Sequence, residues 1–102
     1  MSYSDLLRQQ CYIDGQWCDA DSGATLDVID PGSCRVLGTV PLMGTEEARR
    51  AISAAEAALP AWRALTAGER ARLMRKLFDL MIQHQQDLGE LLSREQGKPQ
   101  AE

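Results

Sequence analysis

Apolar residues recur at helical spacing over residues 66–99, the stretch that holds most of the chain's large aliphatic side chains. Leu73, Met74, Leu77, Phe78, Leu80, Met81 and Ile82 keep that spacing, and Leu88, Leu91 and Leu92 resume it after a polar gap. Thr66 followed by Glu69 has the form of a capping box, in which the hydroxyl accepts from an early backbone N–H and the carboxylate reaches back. Gly97 and Pro99 form the stop, since glycine takes a left-handed turn and proline cannot continue the helix. One straight helix over this span would be about 45 Å long, too long for so small a domain. The polar run His84-Gln85-Gln86-Asp87 therefore predicts a break into two packed helices, with Asp87 near the second start.

The N-terminal part alternates instead. Tyr12-Ile13, Asp14-Gly15 and Gln16-Trp17 predict a β-hairpin, because an Asp-Gly pair suits a type I′ turn whose twist matches the strands. Ser22-Gly23 marks a second turn. Residues 25–30 (TLDVID) read as a strand stopped by Pro31-Gly32, and residues 35–40 (RVLGTV) as a third strand closed by Pro41. Residues 4–10 suit a short helical turn with Leu6 and Leu7 as its apolar contacts. Thr45 is placed to cap a further helix, with Glu46 and Glu47 in the first turn, where the helix dipole favours acids. Ala48, Ala51, Ile52, Ala55 and Leu59 make its apolar face. Pro60 is expected to end or kink it, leaving Trp62 and Leu65 in the connection. The expected fold is a small antiparallel β region, 11–41, followed by long packed helices, 45–97. Pro99-Gln100-Ala101-Glu102 reads as the first turn of another helix, so residues 1–102 are expected to be one incomplete domain.

Composition narrows the class. The chain has 102 residues and is 44% hydrophobic, but thirteen of its residues are alanine, so the core inventory is poorer than that figure suggests. Tyr3, Tyr12, Trp17, Trp62 and Phe78 are the only aromatic anchors. A chain of this length buries only about 60–65% of its unfolded surface, which makes independent stability marginal. A net charge of −4 argues against nucleic-acid or anionic-membrane partners. Cys11, Cys18 and Cys34 are an odd set without a C-x-x-C pair, which favours a reducing compartment. The N-terminus lacks a signal-peptide pattern, and no apolar run approaches the roughly 20 residues that span a bilayer. A cytoplasmic protein is expected.

Candidate chemistry is sparse. A nucleophilic cysteine needs a nearby base or positive field; Cys18 adjoins Asp19 and Cys11 the hairpin, so all three cysteines read as small hydrophobes. His84 has no second histidine or cysteine at ligand spacing and reads as a solvated helix-break residue. Arg70, Arg72, Arg75 and Lys76 give the long helix a basic side, balanced by Glu69 and Asp79 and read as solvated. The glycines form neither a Gly-x-Gly-x-x-Gly nor a Walker-type loop. Glu95-Gln96-Gly97-Lys98-Pro99 reads as a helix C-cap with a cation near the negative end of the dipole. No catalytic, cofactor-binding or metal-binding residue is assigned.

Several of these stretches together resemble the N-terminal region of the aldehyde dehydrogenase superfamily. Tyr12-Ile13-Asp14-Gly15-Gln16-Trp17 is similar to the family's "ING-x-W" hairpin. Val28-Ile29-Asp30-Pro31-Gly32 is similar to its "NPATG" turn, with Asp30 for the usual asparagine and Ser33-Cys34-Arg35 in place of its tail. Ala51-Ile52, Ala54-Ala55, Pro60 and Trp62 resemble the first long helix and its exit. Glu69-Arg70, Leu73, and Leu92 with Glu95-Gln96-Gly97-Lys98-Pro99 and Ala101-Glu102 complete the order. Arg8-Gln9-Gln10 and the run from Leu59 through Ala67 are most similar to bacterial NAD(P)-dependent succinate-semialdehyde dehydrogenases.

The resemblance implies an α/β parent with the aldehyde dehydrogenase fold, of which this is the opening segment of the cofactor-binding domain. Such enzymes oxidise an aldehyde through a thiohemiacetal on a catalytic cysteine, pass hydride to NAD or NADP, and hydrolyse the thioester. It implies succinate semialdehyde as substrate in 4-aminobutyrate degradation, and a homo-oligomer, dimer or tetramer. The catalytic groups would lie beyond residue 102, and Cys11, Cys18 and Cys34 do not align with the nucleophile. The segment alone is therefore expected to be inactive and to bind no cofactor, its partner being the remainder of the dehydrogenase chain. The alternative is a freestanding helical-hairpin interaction module without enzyme activity.

Overall fold

The computed structural model describes residues 2–102. A single helical turn, α1 (Tyr3–Leu6), precedes a hairpin of β1 (Cys11–Ile13) and β2 (Gln16–Cys18). Asp14 and Gly15 have φ of +52° and +74°, both left-handed, as the type I′ turn demands. The register sets Cys11 opposite Cys18, Tyr12 opposite Trp17 and Ile13 opposite Gln16. On one face the Tyr12 and Trp17 rings meet edge-on at 5.0 Å.

β3 (Thr25–Ile29) and β4 (Val36–Pro41) form a second antiparallel ladder, with a bulge between Val28 and Ile29. Asp30 organises its turn. The carboxylate Oδ1 accepts the N–H groups of Gly32 at 2.8 Å and Ser33 at 3.3 Å. Those two bonds hold the Asp30 carboxyl below its ordinary pKa, since they favour the ionised form. An asparagine oxygen would accept the same bonds, so aspartate here preserves the turn. Pro41 lies at the strand end opposite Thr25, where a missing N–H is tolerated. The β half is thus antiparallel, as the pattern predicts, but divided into two separate two-stranded sheets. The segment between them is held on the first long helix instead of continuing the ladder: the Asp21 N–H donates to Glu47 Oε2 at 3.2 Å.

That helix, α2 (Thr45–Ala64), departs from the sequence reading at both ends. Gly44 is its N-cap and Thr45 its first helical residue, with no side-chain cap bond. Glu47 takes up the bond to Asp21, so the N-terminus is tied by tertiary contact instead. Pro60 does not end the helix, and Trp62 is helical; only Leu65 lies beyond the last turn. Proline deletes one backbone bond locally, and the alanine-rich turns on either side supply good helix formers.

α3 (Ala67–Gln83) begins at the predicted capping box. Glu69 N–H donates to Thr66 Oγ1 at 3.1 Å, and Thr66 N–H donates to Glu69 Oε2 at 2.9 Å. His84, at φ −106° and ψ 19°, breaks the helix where the polar run predicts, and α4 (Gln85–Gln96) follows. Gly97 closes α4 at φ +75°, its N–H donating to Ser93 O at 2.7 Å.

Packing is thin. α1 rests on α4, with the Arg94 guanidinium 4.3 Å from the Tyr3 ring centroid. The Gln9 side chain bridges to β4, its Oε1 accepting Thr39 N–H at 3.0 Å. Ala20 is the sole buried hydrophobic side chain among the described residues. The radius of gyration, 16.7 Å, exceeds the value of about 13 Å typical of a compact domain of this length. The accessible surface, 7937 Å², likewise exceeds the roughly 5,700 Å² of a folded monomer of this mass. Leu73, Leu77, Phe78 and Met81 on α3 are each about half exposed.

Candidate functional site

An open groove runs between the β1–β2 hairpin and α2, lined on one side by Ile13, Cys18, Asp19 and Asp21 and on the other by Glu46, Arg49, Arg50 and Ser53. Its built feature is an ionic clamp. Arg50 donates two hydrogen bonds to Asp21, at 2.9 and 2.7 Å, in the bidentate fork that suits guanidinium and carboxylate. The hydrogen bond from Arg50 holds the Asp21 carboxyl below its ordinary pKa, and the same contact raises that of Arg50. Glu47, only 6% exposed, accepts from the Asp21 backbone. One aspartate is thus gripped by side chain and main chain alike. A carboxylate held ionised by a guanidinium is a poor general acid or base near neutral pH, so the clamp serves to seat the hairpin on α2.

The cysteines fall in two places. Cys11 and Cys18 are cross-strand partners, with Cys18 Sγ 3.5 Å from the carbonyl oxygen of Cys11, whereas Cys34 is exposed in the β3–β4 turn at φ +62°. His84 sits at the α3–α4 junction among Ile82, Gln83, Gln85, Gln86 and Asp87, with no cysteine beside it. Among the described residues no thiol therefore has the adjacent imidazole that activates a catalytic cysteine. Among the described residues no group of three or more His, Cys, Asp or Glu could hold a metal ion. The basic side of α3 is solvated where Arg75 pairs with Asp79 at 3.4 Å and covers the Phe78 ring. Arg70 differs: it is half-buried, and its Nε has no hydrogen-bond partner among the described residues.

Sequence reasoning missed two of these relationships. The pairing of Cys11 with Cys18 was available from the Asp14-Gly15 turn, because a two-residue loop fixes which residues face each other. The grip on Asp21 had no local signal, since Arg50 and Glu47 lie far along the chain.

The chain belongs to the aldehyde dehydrogenase family, whose model matches residues 17–102. A glutarate-semialdehyde dehydrogenase of Pseudomonas putida is 59% identical over 97% of this chain, which covers 21% of that protein. The NADP(+) succinate-semialdehyde dehydrogenase GabD of Escherichia coli is 56% identical over 97% of this chain, and 20% of that protein is covered. The crystal structure of succinate-semialdehyde dehydrogenase from Burkholderia pseudomallei superposes with a TM-score of 0.93 at 54% identity, over 96% of this chain and 20% of that one. The chain spans about a fifth of the length of the relatives it matches.

The groove does not fit a nicotinamide dinucleotide. Asp14, Asp19, Asp21 and Glu46 line it, Arg49 and Arg50 are already paired with Glu46 and Asp21, and among the described residues no glycine-rich backbone cradle faces it. No cofactor step is assigned to these residues.

Proposed function

We propose that this chain is the N-terminal segment of the cofactor-binding domain of an NAD(P)-dependent, cytoplasmic aldehyde dehydrogenase that oxidises succinate semialdehyde to succinate in 4-aminobutyrate degradation. The observation that carries the reading is the bare apolar surface of α2, α3 and α4. The relatives are about five times as long as this chain, which leaves ample chain to cover such a surface, and the family match runs through all three helices. The preference for a semialdehyde bearing a distal carboxylate is supported by the names of the relatives, which act on the semialdehydes of succinate and of glutarate. On this reading residues 2–102 are scaffold. Hydride transfer, thioester formation and hydrolysis belong to residues elsewhere in the enzyme, which functions as a dimer or tetramer.

The test is an assay of the full-length gene product with succinate semialdehyde and glutarate semialdehyde, each with NAD+ and with NADP+. A kcat/KM highest for succinate semialdehyde supports the proposal. A preference for glutarate semialdehyde would correct the substrate. Absence of turnover with any aldehyde, in a protein that binds another chain through its helices, would support the interaction module instead.

A further inference from the structure

We propose that Cys11 and Cys18 form a modification site, a cross-strand dithiol that a hydroperoxide converts into an intramolecular disulfide. The register places them directly opposite each other on β1 and β2. Opposed residues of an antiparallel pair share a face and stand about 4.5–5.5 Å apart at Cα. A disulfide spans about 4.4–6.8 Å between Cα atoms, so the separation of opposed residues lies within its reach. The left-handed Asp14-Gly15 turn and the Tyr12–Trp17 ring contact pin that register from the turn and from the other face. Cys18 Sγ is already directed across the hairpin, 3.5 Å from the Cys11 carbonyl oxygen. Both thiols are free and half-buried, and Cys18 lines the groove, where a small oxidant reaches it first. Cys34, in the other sheet's turn, is exposed and serves as an internal comparison.

The chemistry balances with hydrogen peroxide as the oxidant. One thiolate attacks a peroxide oxygen, the O–O bond breaks, and a sulfenic acid and one water result. The second thiolate attacks that sulfur, the S–O bond breaks, and hydroxide leaves and takes a proton as a second water. Two thiols surrender two electrons and two protons, and hydrogen peroxide is reduced to two waters. In a reducing compartment a thiol such as glutathione reverses the bond, as suits a transient disulfide.

The test uses the full-length protein. It is treated with hydrogen peroxide, alkylated, and digested without reduction by a protease that cleaves before aspartate. The expected result is that peptides 5–13 and 14–18 are recovered as one linked species. That species is lost on adding dithiothreitol and in the Cys11→Ser and Cys18→Ser variants, and retained in Cys34→Ser. Recovery of the two peptides separately, each alkylated or carrying its own sulfinic acid, would overturn the proposal. So would linkage of either to Cys34 or to another cysteine. The unsubstituted protein decides the matter even if a serine variant fails to fold.

Discussion

The ring of Pro31 lies against the backbone of Gly97, so that a Cβ on Gly97 would stand 3.0 Å from Pro31 Cγ. Pro31 begins the turn between β3 and β4, and Gly97 closes α4. The contact joins the β half to the far end of the helical half. Its counterpart is the Asp21–Arg50 pair, which joins the segment between β2 and β3 to α2. Between these attachments α3 has little support, consistent with its exposure along the whole apolar face.

Gly97→Ala should therefore destabilise the β3–β4 turn and the end of α4 together. Alanine meets the left-handed penalty of about 1–2 kcal/mol at φ +75°, and its methyl also displaces the Pro31 ring. Gly97→Asn tests the backbone contribution separately, because asparagine tolerates the conformation but still carries a Cβ. Amide hydrogen exchange at Cys34 and Gly97 is the measurement. Faster exchange at both sites is expected in both variants, and more so for alanine. Unchanged exchange at Cys34 would show that the two ends are not coupled through Pro31.

Asp21 should titrate below its ordinary pKa of 3.8, chiefly through the hydrogen bond from Arg50. A carboxyl depressed on folding stabilises the fold above the unfolded pKa, and that stabilisation is lost as pH falls through the folded value. The clamp should thus hold at neutral pH and release only in strong acid. Carboxyl resonances followed by NMR across the acid range would show this, and Arg50→Ala should return Asp21 toward 3.8. Arg50→Lys should restore it only in part, since an ammonium cannot make the two-pronged contact. The pair is exposed, so added salt should weaken the shift.

Local features were legible in the sequence because each is written within a few residues. The Asp14-Gly15 turn, the Thr66–Glu69 box, the break at His84 and the left-handed Gly97 all depend on short-range chemistry. The ends of α2 were read differently from the structure because their determinants lie elsewhere. Glu47 ties the N-terminus to Asp21, which no pattern near Thr45 discloses, and Pro60 is carried by the helical turns around it. The candidate site was legible only in half: the hairpin register implied the Cys11–Cys18 pair, whereas the Arg50 clamp required the fold.

The isolated 102-residue chain should not reduce NAD+ or NADP+ in the presence of succinate semialdehyde. Among the described residues no thiol has an imidazole beside it, and the groove's two arginines are already paired with carboxylates, with Asp14 and Asp19 left to repel phosphate. Absorbance of the reduced nicotinamide is the readout. Turnover that disappears on substituting Cys11, Cys18 or Cys34 would contradict the assignment of these residues to scaffold.

The isolated chain should also associate. Leu73, Leu77, Met81 and Leu92 are each about half exposed on α3 and α4, and Ile52 on α2 is 67% exposed. Exposed apolar side chains in this number drive association until something covers them. Sedimentation velocity should show an average mass that rises with concentration, or a broad thermal transition where the mass stays low. Leu77→Glu combined with Met81→Glu puts two charges on that face without removing a buried contact. The double variant should stay monomeric at concentrations where the parent chain associates, with its helical circular dichroism retained. A parent chain that sediments as a monomer and melts in one sharp transition would mean that α2, α3 and α4 need no covering, and the argument that they seat the rest of a dehydrogenase would lose its support.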